Sequence, residues 1–357
     1  MAPRKPRIIP HSRPLFGPED GKAVLRVLAS GQVAEGPEVE RFEKEVSGYL
    51  GCRGGAATSS GTAALHLALL ALGVGRGDGV VVPSYVCSAL LQAVRYVGAV
   101  PQVADLAEGR LCPGPEEIKR AVNRVTRAII FPHPFGEPIE LSPSAAIGKK
   151  LVEDLAQSIG ARINGRPAGR VGDVAVCSFY GPKMMASGEG GMVISDRLRI
   201  LQKVRSLRAY DEPPDDRLRF NYKMSDLHAA LGRSQLKKLE TFVRRRRKIV
   251  KTFGRAFHQL PLILPSDPPE GRHVYHRYVV RVTGKPGAEA LIRFLGQKGV
   301  VARRPVYRPI HRLLGQKGFP ETEEAVRKAV SLPCYPSLKD EEVQRVIEAV
   351  RTAFEAT

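Results

Sequence analysis

Between residues 55 and 196 the chain alternates short apolar runs with stretches of helical periodicity, and that alternation limits the fold more than any other feature. The apolar runs fall at 80–82, 100–103, 128–131, 151–152, 174–179 and 192–194, with helical patterns such as 62–72 and 89–97 between them. Repeated strand–helix–strand units argue for an α/β fold, a mostly parallel central sheet flanked by helices. Ligands of such sheets sit beyond the carboxyl ends of the strands. A chain of 357 residues is too long for one small core. After a helical stretch at 225–260 a second unit is expected, with a strand at 275–282, a helix at 288–298, a Pro-rich passage at 304–309 and a last helix at 339–354. We therefore expect a large domain over residues 1–245, N-terminal segment included, and a small C-terminal α+β domain over residues 246–357.

The expected strand ends carry the chemistry. Glu153-Asp154-Leu155-Ala156-Gln157 closes one apolar run and Ser178 closes another. Lys183 follows, and then the turn Gly188-Glu189-Gly190-Gly191. A lysine that can be desolvated, an acid at a strand end and a hydroxyl beside a glycine-rich turn are what a pyridoxal phosphate (PLP) enzyme requires. The lysine amine forms a Schiff base with the aldehyde, and the acid keeps the pyridine nitrogen protonated so that the ring draws electrons. Upstream, Ser59-Ser60-Gly61-Thr62-Ala63 opens the 62–72 helix. Its free N–H groups and the positive end of its dipole suit a phosphate without a basic side chain. Taken singly, each feature has an ordinary reading: Ser or Thr as a helix cap, Asp154 as a loop cap, Lys183 as a solvated side chain. Their order and placement together decide for the cofactor.

The formal charge of +20 has two readings, an anionic partner or a solvated arginine-rich surface. The densest run, Arg244-Arg245-Arg246-Arg247-Lys248, sits on a helical stretch, so its members point around the helix and form no single stripe. No nucleic-acid motif accompanies it, and nucleic acid is not expected as a partner. The longest apolar stretch, 63–74, is too short to span a bilayer. No apolar signal core follows the basic start. Five scattered cysteines without ligand spacing read as reduced thiols in a cytoplasmic protein, with no metal site.

The chain resembles the DegT-type family of PLP enzymes, the nucleotide-sugar aminotransferases, over nearly its whole length. The resemblance rests on the stretch at 30–43, Ser60-Gly61-Thr62-Ala63-Ala64-Leu65, Glu153-Asp154-Leu155-Ala156-Gln157, Ser178-Phe179-Tyr180-Gly181-Pro182-Lys183 and Asn221-Tyr222-Lys223-Met224-Ser225-Asp226. It implies PLP fold type I and a homodimer with the active site at the subunit interface. Carried over, it makes Lys183 the catalytic lysine, pairs Asp154 with the pyridine nitrogen and sets Gln157 on the ring face or the phenolic oxygen. Gly61, Thr62, Ala63 and Ser178 would bind the phosphate, and Asn221 would reach the phosphate of the neighbouring subunit's cofactor. The chain departs from the family where an aromatic residue usually stacks on the ring: here stands Cys87. Either the thiol packs on the ring, or Tyr85 substitutes, or the stacking is lost. Val86 replaces a frequent threonine, and Lys223 a frequent arginine.

The resemblance further implies transfer of an amino group from glutamate to a ketone on a nucleotide-linked sugar. The segment Arg304-Pro305-Val306-Tyr307-Arg308-Pro309-Ile310-His311 is similar to a pattern of perosamine synthases, which aminate a 4-keto-6-deoxy sugar. It reads equally well as a Pro-rich connection with basic surface residues. Tyr85, Arg304, Arg308 and His311 are the expected substrate-binding residues, and Arg303 and the Arg244 run are further cations for a pyrophosphate. The alternatives are a PLP enzyme acting on a cyclitol or related cyclic ketone, and a catalytically degenerate PLP-binding regulator.

Overall fold

Seven short strands supply the backbone pairing on which the first unit is built: β1 Gly54–Thr58, β2 Gly79–Pro83, β3 Val100–Ala104, β4 Thr126–Pro132, β5 Lys150–Asp154, β6 Val174–Ser178 and β7 Gly191–Ser195. The computed structural model describes residues 8–140, 148–210 and 215–355. The strands form one sheet in the order β1-β7-β6-β5-β4-β2-β3. Pairs from β6 across to β3 are parallel, and β7 alone runs against its neighbours. Alternation along each strand feeds both faces. Val174, Val176 and Val193 pack in one apolar cluster, while Ala175, Cys177, Met192 and Ile194 pack in another on the opposite face. Helices α1 Pro18–Ser30, α2 Pro37–Tyr49, α3 Gly61–Ala71 and α4 Ala89–Tyr96 belong to this unit, as do α5 Pro115–Ala121, α6 Leu198–Arg208 and α7 Asp226–Leu236. α3 is apolar on nearly all sides and correspondingly buried.

All six expected strands are present. β1 escaped the sequence reading because Gly54-Gly55-Ala56-Ala57-Thr58 has no β-branched residue before its last position. Its small side chains answer to packing: a Cβ on Gly55 would lie 2.7 Å from the Met192 sulfur.

The expected helix at 225–260 is two helices, α7 and α8 Leu239–Phe257. Beyond it β8 Leu262–Ile263, β9 Tyr278–Val282 and β10 Ala329–Leu332 form an antiparallel sheet in the order β8-β9-β10. α9 Ala288–Gln297, α10 Ile310–Leu313, α11 Pro320–Lys328 and α12 Asp340–Glu355 complete the second unit. α8 serves both units, with Val243 in the large-sheet cluster and Ile249, Phe253 and Phe257 in the second core. Ile9 also packs in the second core, bridged to Val300. No described helix is long and apolar enough to cross a membrane.

The middle of the arginine run on α8 is engaged within the molecule. Arg246 is buried and donates to the carbonyls of Tyr275 (3.2 Å), His276 (3.1 Å) and Cys334. Arg247 pairs with Asp267 and donates to the His273 carbonyl at 3.0 Å, and Arg245 pairs with Asp340. This corrects the expectation that the run offers cations to a pyrophosphate: its inner members tie α8 to the second unit. Replacing Arg246 with Met should leave buried carbonyls unsatisfied and lower the unfolding free energy by about 3 kcal/mol, whereas exposed Arg244→Met should change it by less than about 0.5 kcal/mol. Denaturant unfolding of the two variants measures the difference.

Candidate active site

The carboxyl ends of β2, β4, β5 and β6 meet at one edge of the sheet, because these strands are parallel neighbours. A cleft of about 1120 Å³ opens there. The first unit lines it with Tyr85 and Cys87 after β2, Phe135 after β4, Gln157 after β5 and Lys183 after β6. The second unit supplies His276 and Arg277 before β9 and the segment from Arg303 to Arg308.

Lys183 sits in a turn clipped at its base by backbone bonds from Phe179 N–H to the Gly190 carbonyl (2.9 Å) and from Gly181 N–H to the Gly188 carbonyl (3.1 Å). Burial pulls its amine below the ordinary lysine value of 10.5. Cys87 and Asp154 oppose that shift, and Arg277 reinforces it. Asp154 ends β5 and is 7 % exposed. Its Oδ1 accepts the Ala156 N–H at 2.8 Å, and burial pushes its carboxyl upward against the fields of Lys183 and His133. The adjacent Glu153 differs. It accepts N–H bonds from Gly169 (3.0 Å), Val171 (2.7 Å) and Gly172 (2.6 Å) and a bond from the His133 ring at 3.2 Å. Glu153 is thereby a fixed anchor of the 169–172 loop, and Asp154 is the carboxylate with accepting capacity left.

The start of α3 forms a small concavity against β6. Ser60 caps the helix by accepting the Ala63 N–H at 3.1 Å. The amides of Gly61 and Thr62 belong to the open first turn, whereas the Ala63 amide is already bonded. A Cβ on Gly61 would lie 2.8 Å from the Ser178 Cβ and 3.1 Å from its Oγ, which brings that hydroxyl to the same space. A Cβ on Gly191 would overlap the Ser60 carbonyl. Asn221 is exposed beside this turn: its neighbour Tyr222 accepts the Ser59 N–H at 2.8 Å.

The other expected residues divide. Gln157 lines the cleft, its Oε1 accepting the Phe135 N–H at 2.9 Å. Tyr85 is buried and meets Phe135 edge to face at 6.3 Å, while Cys87 is exposed. Arg304 reaches the cleft wall, yet its Nη1 donates to the carbonyls of Val326 (2.6 Å) and Arg327 (3.0 Å) at the end of α11. Arg308 is exposed on the lining segment. His311 does not line the cleft. It is buried, with Nδ1 2.6 Å from Ser84 Oγ and Nε2 2.8 Å from Glu323, and it ties the second unit to the end of β2. The sequence reading missed Arg277 and His276, which it placed inside a strand. The strand begins later because Tyr275 adopts φ 50°, and the preceding residues bond to the 135–136 turn instead.

Three observations fit PLP: a desolvated amine, a buried carboxylate with one backbone donor, and an anion cradle that a side chain at Gly61 would fill. The model of the DegT/DnrJ/EryC1/StrS aminotransferase family matches residues 15–351. The chain belongs to this family. It is a PLP-dependent aminotransferase, and its kind is that of the sugar aminotransferases. The enzyme is 33 % identical to the spore coat polysaccharide biosynthesis protein SpsC of Bacillus subtilis over 98 % of each chain. It is 29 % identical to GDP-perosamine synthase of Vibrio cholerae, covering 97 % of this chain and 99 % of that protein. The crystal structure of the aminotransferase TlmJ from Streptoalloteichus hindustanus superposes with a TM-score of 0.93 at 29 % identity, covering 98 % and 99 % of the chains.

Gly191→Ala should displace the Ser60–Gly61 turn and weaken PLP binding at least about tenfold, on the scale of one lost charge-assisted hydrogen bond. Titration of the apoenzyme with PLP, followed by absorbance, gives the ratio.

Proposed function

We propose that the enzyme moves an amino group from glutamate to the keto group of a nucleotide-linked sugar, with a 4-keto-6-deoxy sugar as the acceptor. One observation carries this reading. Lys183 and Asp154 lie at one sheet edge below a cleft of about 1120 Å³ whose far wall is basic, which suits a ligand larger than an amino acid. The resemblance to GDP-perosamine synthase supports the same acceptor class.

Bound PLP supplies an aldehyde for the lysine and a ring that withdraws electrons. Asp154 would pair with the pyridine nitrogen and keep a proton on it. Burial favours that pairing, because an ionised carboxylate in this position needs a cation. Lys183 Nζ, whose charged form is disfavoured by burial, takes the proton from the donor's α-carbon and delivers it to the carbon that keeps the nitrogen. With the sugar ketone it moves the proton back. Gln157, held through Oε1, has its NH₂ group free for the phenolic oxygen. Gly61, Thr62 and Ser178 hold the phosphate. Tyr85 and Phe135 supply an apolar wall where Cys87 gives no ring. Arg308 serves the acceptor's pyrophosphate together with whatever reach Arg304 retains. Asn221, exposed beside its own cradle, completes the phosphate site of a second copy in a homodimer. A fully active monomer in sedimentation would exclude that arrangement. The domains divide along α8, near residue 245.

Holoenzyme should lose its lysine-bound absorbance with glutamate and recover it with a nucleotide-linked 4-keto-6-deoxy sugar but not with cyclic ketones such as keto-cyclitols. Lys183→Ala should abolish both steps in a folded protein. Asp154→Ala should slow them at least about a hundredfold, the scale of one electrostatic catalytic partner. Recovery with a cyclitol ketone alone would replace the acceptor assignment.

The pH dependence follows from the direction of the lysine shift. A depressed amine pKa means that the reactive neutral form accumulates at lower pH than in free lysine. Capture of PLP by the apoenzyme should therefore rise with pH and level off below about 10.5, the ordinary lysine value. Stopped-flow absorbance across pH measures the midpoint.

A further inference from the structure

At the sheet edge opposite the active site lies another cleft, of about 600 Å³. Strand β5 enters the sheet there at Lys150 and leaves it at Asp154. Extended chain of that length sets the two ends about 13 Å apart. β7 runs the other way: it starts at Gly191, against the Ser60 turn, and ends at Ser195, and Asp196 and Arg197 beyond it line the far cleft. α3 opens at the phosphate cradle, and at its other end Ala71 and Leu72 form part of the far wall. A ligand held here is therefore a different molecule from the one at Lys183.

The charge of the far cleft is one-sided. Arg53, Lys150, Arg197, Arg199 and Lys203 line it against one acid, Asp196. The acids within reach are already engaged. Asp196 accepts the Arg53 N–H at 2.8 Å and pairs with Arg170 of the 169–172 loop at 3.0 Å. Asp173 is shared by Lys150 at 3.8 Å and Arg197 at 2.5 Å, and it also accepts the Leu151 N–H at 2.9 Å. Arg53, Arg199 and Lys203 are exposed, and their side chains enter no ion pair among the described residues. Cations gathered without counter-charge repel one another, and an anion placed between them relieves the repulsion.

The floor is apolar. Leu72 is buried, Ile200 packs on the same core cluster, and Leu198 is 45 % exposed in the lining. The volume falls in the range of small-molecule sites and exceeds what a bare phosphate fills. The cations converge on one concavity and do not run along a stripe, which suits a small molecule better than a duplex. We propose that this cleft is a further ligand site of the enzyme and takes a small organic phosphate of the nucleoside diphosphate class. Arg53, Arg199 and Lys203 meet the phosphates, which guanidinium forks match in a bidentate way, and Leu72, Leu198 and Ile200 meet the body of the ligand. The site is independent of the amino-transfer reaction, and it gives part of the charge of +20 a use away from Lys183.

The test is calorimetry on holoenzyme with two probes: GDP, and inorganic pyrophosphate, which has no apolar body. GDP should fill two sites per chain. The double variant Arg53→Gln/Arg199→Gln should weaken one of them at least about tenfold and leave the glutamate half-reaction within about twofold, a readout that general loss of structure would not preserve. Arg308→Gln should weaken only the other. Leu198→Ser should weaken GDP at the far cleft about fivefold and leave pyrophosphate unchanged. GDP binding that is indifferent to the double variant overturns the proposal, as does a single GDP site lost in Arg308→Gln. Pyrophosphate bound as tightly as GDP overturns the ligand class. Duplex DNA bound more tightly than GDP, and lost in the same double variant, would assign the cations to nucleic acid and overturns it as well. A single GDP site lost in the double variant and kept in Arg308→Gln supports the proposal and counts instead against a nucleotide-linked acceptor, so the two readings fail separately.

Discussion

Two carboxylates end β5, and the pleat sends them to opposite faces of a buried sheet. Neither is stable as an isolated ion at such depth. Glu153 is satisfied by three backbone amides and the His133 ring, and in return it holds the 169–172 loop in place. Asp154 is given one amide, and its carboxyl is pushed upward by burial. That difference separates the two acids: one has its charge met by the fold, and its neighbour keeps accepting capacity at the sheet edge.

The lysine is placed by the same sheet edge. β6 ends beside β5, and the turn that follows is closed by bonds among residues 179–190. Glycine is required there in a steric sense. Gly191 lies against the Ser60 carbonyl, and Gly61 lies against Ser178. The first turn of α3 and the lysine turn are thus held together by close backbone approach, which any side chain would open.

The second unit contributes a wall, and its position depends on α8 reaching into both cores. Buried Arg246 binds three carbonyls of the strand entry and of residue 334, so the strongly basic character of the chain is partly structural. His311 behaves alike, linking Ser84 to Glu323 instead of facing the cleft. Arg277, Arg303 and Arg308 remain as cations on the cleft side.

The sequence by itself determined the parallel sheet, the second unit and the ordered set from Gly61 to Lys183. Apolar periodicity, helix signals and short-range spacing act locally, and all of these features are local. It could not show β1, where the Met192 side chain packs on Gly55 and Leu201 on Gly54. It could not separate Glu153 from Asp154 by partners, because the amides that satisfy Glu153 lie 16 to 19 residues further on. Only the tertiary structure decided which arginines face the cleft. Arg246 and Arg304 turn to distant carbonyls, and Arg277 is drawn to the cleft by a left-handed Tyr275 and by bonds to residues 135 and 136. Long-range hydrogen bonds set the direction of a flexible cation, and a sequence pattern records the charge without its direction.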